Sequence, residues 1–544
     1  MTTEPSSGSA PAMIAAIEAA LRAGEPERAS ALAERALAAG VAHPLPLRLA
    51  AAGRLAAGRF GEAEALLRRA MTGGPTDPSL RLELATCFAA ARRPEAALEA
   101  ADAALRLSPG FAPAWEAKAR LLMDSGDWPG SRQAFERAAA LTPQAPEPLS
   151  GLASLALQAG DLAEARRRAE QALARRPDHP EAAFTLAKAE LEAGAFAAAE
   201  KRLARLAADQ RAPPLAASEV RLALGEALHG LKRWREAFQA FAAGKAILRS
   251  LYAERAASRP GETAKARALV NALHALPTEA WAGPPDAAPV EGEAEVHVFL
   301  VGFPRSGTTL LEQALAGHPR VSALEERPTL AEPIDAFLGA QAGLERLLRL
   351  GADDAAAWRR RYWAGVRGEG VETAGRVFVD KAPGETANLL LMGRLFPRAR
   401  FLFALRDPRD VVLSSFRHGF QMNAMTYEFT TLETAAGCYN AVMGAAFAAR
   451  ERLPLNLVEV RHEALVADFE AGLREVCAFL DLDWRREMAD VAATARARRV
   501  RTPSAPQVRE GVNRRGVGGW RAYEAEMTPV LPILQPWIER LGYG

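Results

Sequence analysis

Two short stretches hold side chains whose types and spacing suit an anionic ligand. The first is "VHVFLVGFPRSGTTLLEQALAGHPRV", residues 296–321, where an apolar run breaks into a Gly/Pro/Ser turn and then a helical pattern. Gly302 and Gly307 let backbone N–H groups turn inward, and a helix opening near Thr308 adds its positive end. Arg305 puts a charged fork inside the turn next to Ser306, and Thr308 and Thr309 offer hydroxyl donors. A nucleotide hydrolase needs lysine where this chain has Thr308, and no clear metal-binding acid pairs with the loop. A phosphate joined to a less charged group therefore fits better than a triphosphate with magnesium. The second stretch, "RLFPRARFLFALRDPRDVVLSSF", reads as a strand ending in Arg406, a turn, and a helix carrying Ser414 eight residues later. Arg and Ser at that step can converge on one phosphate from a strand end and a helix start. Taken alone, Arg406 and Asp407 read equally as an ordinary surface ion pair.

The elements that must hold these residues are strands alternating with helices. "VHVFLVG", "RVFVD", "RFLFALR" and "LNLVEVR" are short β-branched and aliphatic runs, each followed by helical periodicity. That alternation predicts an α/β domain with a parallel sheet and helices on both faces.

The first half of the chain has a different rhythm. Gly24, Gly58, Arg92, Gly126, Gly160 and Gly194 mark one turn position, each 34 residues after the last. Five positions on stands a small residue (Ala29, Ala63, Ala97, Ser131, Ala165, Ala199), and twelve on comes Ala36, Ala70, Ala104, Ala138 or Ala172, with Leu206 breaking the rule. Pro75, Pro109, Pro143 and Pro177 close four consecutive repeats. A helix, a tight turn, a second helix packed through small residues and a terminating proline follow from that pattern. It resembles the tetratricopeptide repeat, and an all-α solenoid is expected. A degenerate last repeat is read at "LKRWREAFQAFAAGKAIL". The domain reading is a disordered start at 1–10, the solenoid at 11–255, a linker at 256–295 and the α/β domain at 296–544.

Composition bounds the rest. At 544 residues, 49% hydrophobic and 25% charged, the chain is ordinary globular protein with room for two or more cores. A net charge of +2 argues against a dedicated nucleic-acid binder. Three scattered cysteines, Cys87, Cys438 and Cys477, give neither a disulfide framework nor metal spacing and suit a reducing compartment. No secretory layout and no bilayer-length apolar run is present, so a cytoplasmic protein without membrane attachment is expected. The abundance of Ala and Arg points to a GC-rich bacterial genome.

Together the two anion motifs resemble those of the sulfotransferases that use 3′-phosphoadenosine 5′-phosphosulfate, over about residues 296–540. "FPRSGTTLL" is similar to that family's 5′-phosphosulfate loop, and Arg406 with Ser414 in "RDPRDVVLSS" to its 3′-phosphate motif. The nearer likeness is to protein-tyrosine sulfotransferases and bacterial tetratricopeptide-linked sulfotransferases. The resemblance places a catalytic base on Glu326 in "ALEERPTL" and the family's lysine on Lys381 in "FVDKAPGETANLL". It places Ser504 and the pair Arg514–Arg515, in "TPSAPQVREGVNRRGVGGW", near the nucleotide. On the residues alone, Glu326 reads as a solvated carboxylate in a charged run, and His318, the rival base, as a helix cap. His462, Gly519 and Glu385 depart from the tyrosine enzymes' pattern and put tyrosine specificity in doubt.

The resemblance implies the phosphosulfate as donor and no metal, with Arg305 and Lys381 stabilising charge on the sulfuryl group and departing phosphate. Arg406, Ser414 and Arg514 would then hold the 3′-phosphate. The repeat groove is expected to present a protein or peptide acceptor, and dimerisation or buttressing are its other uses. A saccharide or metabolite acceptor, and a non-catalytic nucleotide-sensing scaffold, are the alternatives.

Overall fold

The computed structural model of the chain describes residues 9–276, 288–339, 341–498 and 504–544. These form two compact units, Met1–Ala193 and Gly194–Gly544.

The first unit is a solenoid of antiparallel helix pairs, from Ala10–Arg22 with Pro26–Ala38 to Glu147–Ala159 with Leu162–Arg175, followed by Pro180–Glu192. The disordered start expected at residues 1–10 lies outside the described residues except for Ser9 and Ala10, and Ala10 opens the first helix. Its repeat signature has a direct physical basis. Every turn position is left-handed, at φ 72° for Gly24, 71° for Gly58, 88° for Gly126 and 78° for Gly160. Arg92 adopts the same conformation at φ 59° without glycine's freedom, at a cost of roughly 1 kcal/mol. Ala29, Ala63, Ala97, Ser131 and Ala165 are all 0% exposed, as are Ala36, Ala70, Ala104, Ala138 and Ala172. Methyl-sized side chains at these contacts let the helices approach closely, so the core is spread along the solenoid.

The second unit begins with helices of the same style. Pro214–Gly230 and Trp234–Leu251 form a hairpin around Lys232, left-handed at φ 60°. Helix Glu262–Ala275 follows and buries Ala266 and Leu273 in the core that also takes in helix Leu432–Arg450. Next come five parallel strands, β1 (Val296–Val301), β2 (Val321–Glu325), β3 (Val377–Lys381), β4 (Arg400–Leu405) and β5 (Asn456–Arg461), in the order β2-β3-β1-β4-β5. Alternate residues serve two cores. Phe299, Val301, Phe401 and Phe403 face one, while Val298, Leu300, Leu402 and Ala404 face the other. The chain leaves β1 towards one edge and returns through β3 to β4 on the other side. β1 and β4 thus flank a switch point, where the loops at their carboxyl ends diverge into a crevice.

β2 is absent from the strands expected from sequence. It is a five-residue edge strand with only Leu324 buried, so it lacks the apolar run that marks a buried parallel strand. Among the described residues no helix is long and apolar enough to cross a membrane.

Candidate functional site

The loop after β1 wraps a cavity of about 400 Å³ at the carboxyl end of the sheet. Gly302 has φ +136°, and a Cβ there would lie 2.4 Å from the Ala404 carbonyl oxygen on β4. Thr386 pins this corner: Gly302 N–H donates to its Oγ1 at 2.9 Å, and the hydroxyl lies 2.9 Å from the Gly302 carbonyl oxygen. Gly307, at φ +97°, is the N-cap of helix Thr308–Ala316, and a Cβ on it would meet His462 Nδ1 at 2.6 Å. The helix start thus faces the cavity with Gly307, Thr308 and Thr309 in its wall. The positive end of the helix dipole favours an anion there. Ser306 is buried, and its N–H closes the turn onto the Phe303 carbonyl at 3.1 Å.

The side chains of the two sequence motifs meet. Arg305, itself left-handed at φ 75°, donates from Nε to Ser414 Oγ at 2.9 Å, from Nη1 to Ser504 Oγ, and from Nη2 to Gln507 Oε1 at 2.7 Å. His418 Nε2 lies 3.2 Å from the same guanidinium. Arg406 donates from Nη1 to the Arg305 carbonyl at 3.0 Å and from Nη2 to the Gly516 carbonyl, while its Nε is buried without a partner among the described residues. Asp407 does not pair with Arg406. It caps helix Pro408–Arg417 and binds Arg409, with Nη2–Oδ2 at 2.8 Å.

The other acids around the cavity are occupied. Glu226 pairs with Arg417 at 3.2 Å and Glu510 with Arg515 at 2.8 Å. Asp410 accepts the N–H groups of Gly518 at 2.7 Å and Trp520 at 2.9 Å, fixing the loop that carries Gly516. Arg305 and Arg406 are therefore left without a carboxylate within 4 Å among the described residues. Burial, then the neighbouring Arg406, pushes the Arg305 guanidinium down to about 9, and burial also lowers Arg406. Burial holds His418 well below its ordinary value and His462 at about 3, with nearby arginines adding to both. The pocket thus sets two buried guanidinia beside a helix start with no carboxylate in direct contact among the described residues, an arrangement that favours binding an anion.

Glu326 lines the same cavity, nearly half exposed, at φ 49° directly after β2. Its N–H donates to the Lys381 carbonyl at 3.0 Å, and Lys381 Nζ contacts its carboxylate at 2.9 Å. Lys381 is fully buried at the end of β3 and also contacts Glu325 at 3.2 Å and Glu312 at 3.4 Å. Burial works against its charge, but Glu312, Glu326 and Glu325 outweigh it and raise the ammonium above its ordinary value.

Arg514 stands elsewhere than expected, and His318 lies away from the cavity, as its reading as a helix cap implies. Arg514 donates to the carbonyls of Val466 and Ala467, at 3.3 and 2.7 Å, at the end of helix His462–Ala467, and is not part of the cavity wall. His318 is buried, with Nδ1 accepting from Arg320 N at 3.1 Å and Nε2 3.2 Å from Asp483. Sequence reasoning passed over His418, Gln507, Asp410, Thr386 and Glu312. His418 carried a usable signal, because it lies one helical turn after Ser414 on the same face. The other four depend on contacts made only by the folded chain.

Comparisons with known proteins agree with this layout. Residues 297–486 match the model of the sulfotransferase family, and residues 54–121, 156–218 and 116–169 match models of the tetratricopeptide repeat. The chain therefore carries a sulfotransferase-family domain behind tetratricopeptide repeats. A protein of Aquifex aeolicus (strain VF5), named only as uncharacterized, is 28% identical over 260 residues, 45% of this chain and 33% of its own length. Protein-tyrosine sulfotransferase A of Caenorhabditis elegans is 26% identical over 278 residues, 45% of this chain and 67% of its own. Protein-tyrosine sulfotransferase 1 of Danio rerio is 22% identical over 269 residues, 45% of this chain and 72% of its own. The chain thus spans a third of the Aquifex protein and about two thirds of the nematode enzyme.

Proposed function

We propose that the chain is a sulfotransferase that moves a sulfuryl group from 3′-phosphoadenosine 5′-phosphosulfate to an acceptor hydroxyl, with a protein tyrosine as the leading acceptor. The observation that carries this reading is the pair Arg305 and Arg406, two buried guanidinia at one cavity with no carboxylate within 4 Å of either among the described residues. A donor with a phosphate at each end of its ribose supplies the missing charge. Arg406, Ser414 and Ser504 are assigned to the 3′-phosphate, with Arg515 in the same wall. Arg305, Ser306, Gly307, Thr308 and Thr309 are assigned to the phosphosulfate. Arg514 keeps only an indirect role through the loop it anchors.

In the transfer, the acceptor oxygen forms a bond to sulfur as the bond from sulfur to the bridging oxygen breaks. The hydroxyl proton passes to Glu326, and adenosine 3′,5′-bisphosphate leaves with the electron pair. The helix start at Thr308 and Arg305 would face the charge that grows on the leaving side, and Lys381, fully buried and outside the cavity wall, would act on it through Glu326. Distant likeness to two protein-tyrosine sulfotransferases supports a tyrosine acceptor. The repeats would present that acceptor as an extended peptide.

Glu326→Ala tests the assignment. It should leave bisphosphate affinity within about twofold and slow sulfate transfer by about 10²–10⁴, the usual contribution of a positioned base. Undiminished turnover would remove Glu326 from the mechanism.

A further inference from the structure

Lys381 is one buried cation among three carboxylates drawn from different places in the fold. Glu326 and Glu325 come from the end of β2, and Glu312 from helix Thr308–Ala316, the helix whose start faces the cavity. The three differ in access. Side-chain exposure is 46% for Glu326, 25% for Glu325 and 0% for Glu312. An acceptor at the cavity can reach Glu326 and has no route to Glu312.

Glu312 is otherwise unaccounted for. Among the described residues neither carboxylate oxygen has a hydrogen-bond partner, and its close contacts with charge are Lys381 and Arg498, both at 3.4 Å. Burial raises its own proton affinity, against the pull of Lys381. A buried carboxylate held only by ion pairs is expensive and needs a reason to persist.

We propose that Glu312 is a positioning residue, the counter-ion sealed from the acceptor that, beside Glu325, keeps Lys381 charged and in place when Glu326 takes up the acceptor's proton. The inference rests on the sulfotransferase reading. Before transfer, Glu326 is an anion 2.9 Å from Lys381. Once it accepts the proton it is neutral, and that ion pair is gone just as charge appears on the departing bridging oxygen. A lysine anchored by Glu326 alone would lose its anchor, and part of its basicity, at that moment. Glu312 does not change protonation during the step, because it is sealed from the acceptor. Lys381 therefore stays an ammonium ion behind Glu326 while charge grows on the leaving oxygen.

The test uses the full-length chain with isotope-labelled lysine, following the Lys381 side chain by NMR across a pH titration. Glu326→Gln imitates the base after it has taken the proton. In that variant Lys381 should remain an ammonium ion through the alkaline range. Adding Glu312→Gln should lower its apparent pKa by about one pH unit or more. Arg498→Gln, which frees Glu312 from its second cation, should move Lys381 the opposite way. It also serves if the double variant does not fold. Opposite shifts are not what loosened packing would produce. The same Lys381 titration with and without Glu312, or no response to Arg498→Gln, would overturn the proposal. Titration of the unmutated chain with adenosine 3′,5′-bisphosphate runs alongside. Failure to bind there would sink the donor reading and leave the Lys381–Glu312 result standing by itself.

Discussion

Arg305 Nε donates to Ser414 Oγ at 2.9 Å, joining residues 109 positions apart in the chain. One belongs to the turn after β1 and the other to the helix after β4, so the bond spans the switch point of the sheet. Arg406 closes the same junction through the Arg305 carbonyl at 3.0 Å. Two motifs that are separately ambiguous in sequence become one cationic pocket in space.

Arg406→Ala removes a buried guanidinium with no carboxylate within 4 Å among the described residues. A charge-assisted hydrogen bond contributes about 1.5–3 kcal/mol. Isothermal titration calorimetry should therefore show adenosine 3′,5′-bisphosphate bound about 100-fold more weakly. Arg406→Lys should recover only part of that loss, because an ammonium cannot serve the Arg305 and Gly516 carbonyls and a phosphate in one plane.

Gly307→Ala should also weaken the bisphosphate complex, through the backbone. At φ +97° an L-residue is strained by about 1–2 kcal/mol, and the new methyl would lie 2.6 Å from His462 Nδ1. A loss of about tenfold or more is expected, with His462→Ala in the same chain restoring part of it.

The repeats were legible because helix pairing demands the same residue types at the same places. Six left-handed turns and two series of buried small residues are written at fixed spacing, and Arg92 is read as a turn only because its neighbours set the register. β1, β3 and β4 were legible by their buried apolar runs, and β5, an edge strand with only Val460 buried, by its valines and leucine. β2 was not, since an edge strand half open to solvent has no continuous apolar stretch. Among the site residues, Arg305, Ser414 and Arg406 announced themselves by charge and spacing. Arg514 was expected at the 3′-phosphate, and only the fold shows that it is spent on the Val466 and Ala467 carbonyls. Glu312 sits in the middle of an apolar helix, where nothing local reveals that Lys381 lies opposite.

Asp380 should give the second unit a measurable dependence on pH. It is fully buried and accepts from Tyr362 at 2.7 Å and Thr329 at 3.0 Å. Burial outweighs those bonds and raises the carboxyl from 3.8 to about 6. The folded chain then holds this proton more tightly than the unfolded chain. Stability from this group is present below the ordinary carboxylate value and is lost as pH rises through about 6. The loss is on the order of 3 kcal/mol. Chemical denaturation of the wild type and Asp380→Asn at pH 4, 5, 6 and 7 should show a difference that changes across this window and is level above it.

Gly151→Ala should destabilise the solenoid. The added methyl would lie 2.2 Å from the Phe135 ring, and Phe135 is fully buried. Overpacking of this kind costs about 1–3 kcal/mol. The melting transition of the first unit should fall, and Phe135→Leu in the same chain should recover part of the loss.

The most direct test of the central claim is calorimetric titration of the full-length chain with adenosine 3′,5′-bisphosphate and, separately, with magnesium ATP. The pocket described here predicts tight binding of the bisphosphate, largely lost in Arg406→Ala, and much weaker binding of magnesium ATP. Preference for magnesium ATP, or no binding of the bisphosphate, would contradict the account.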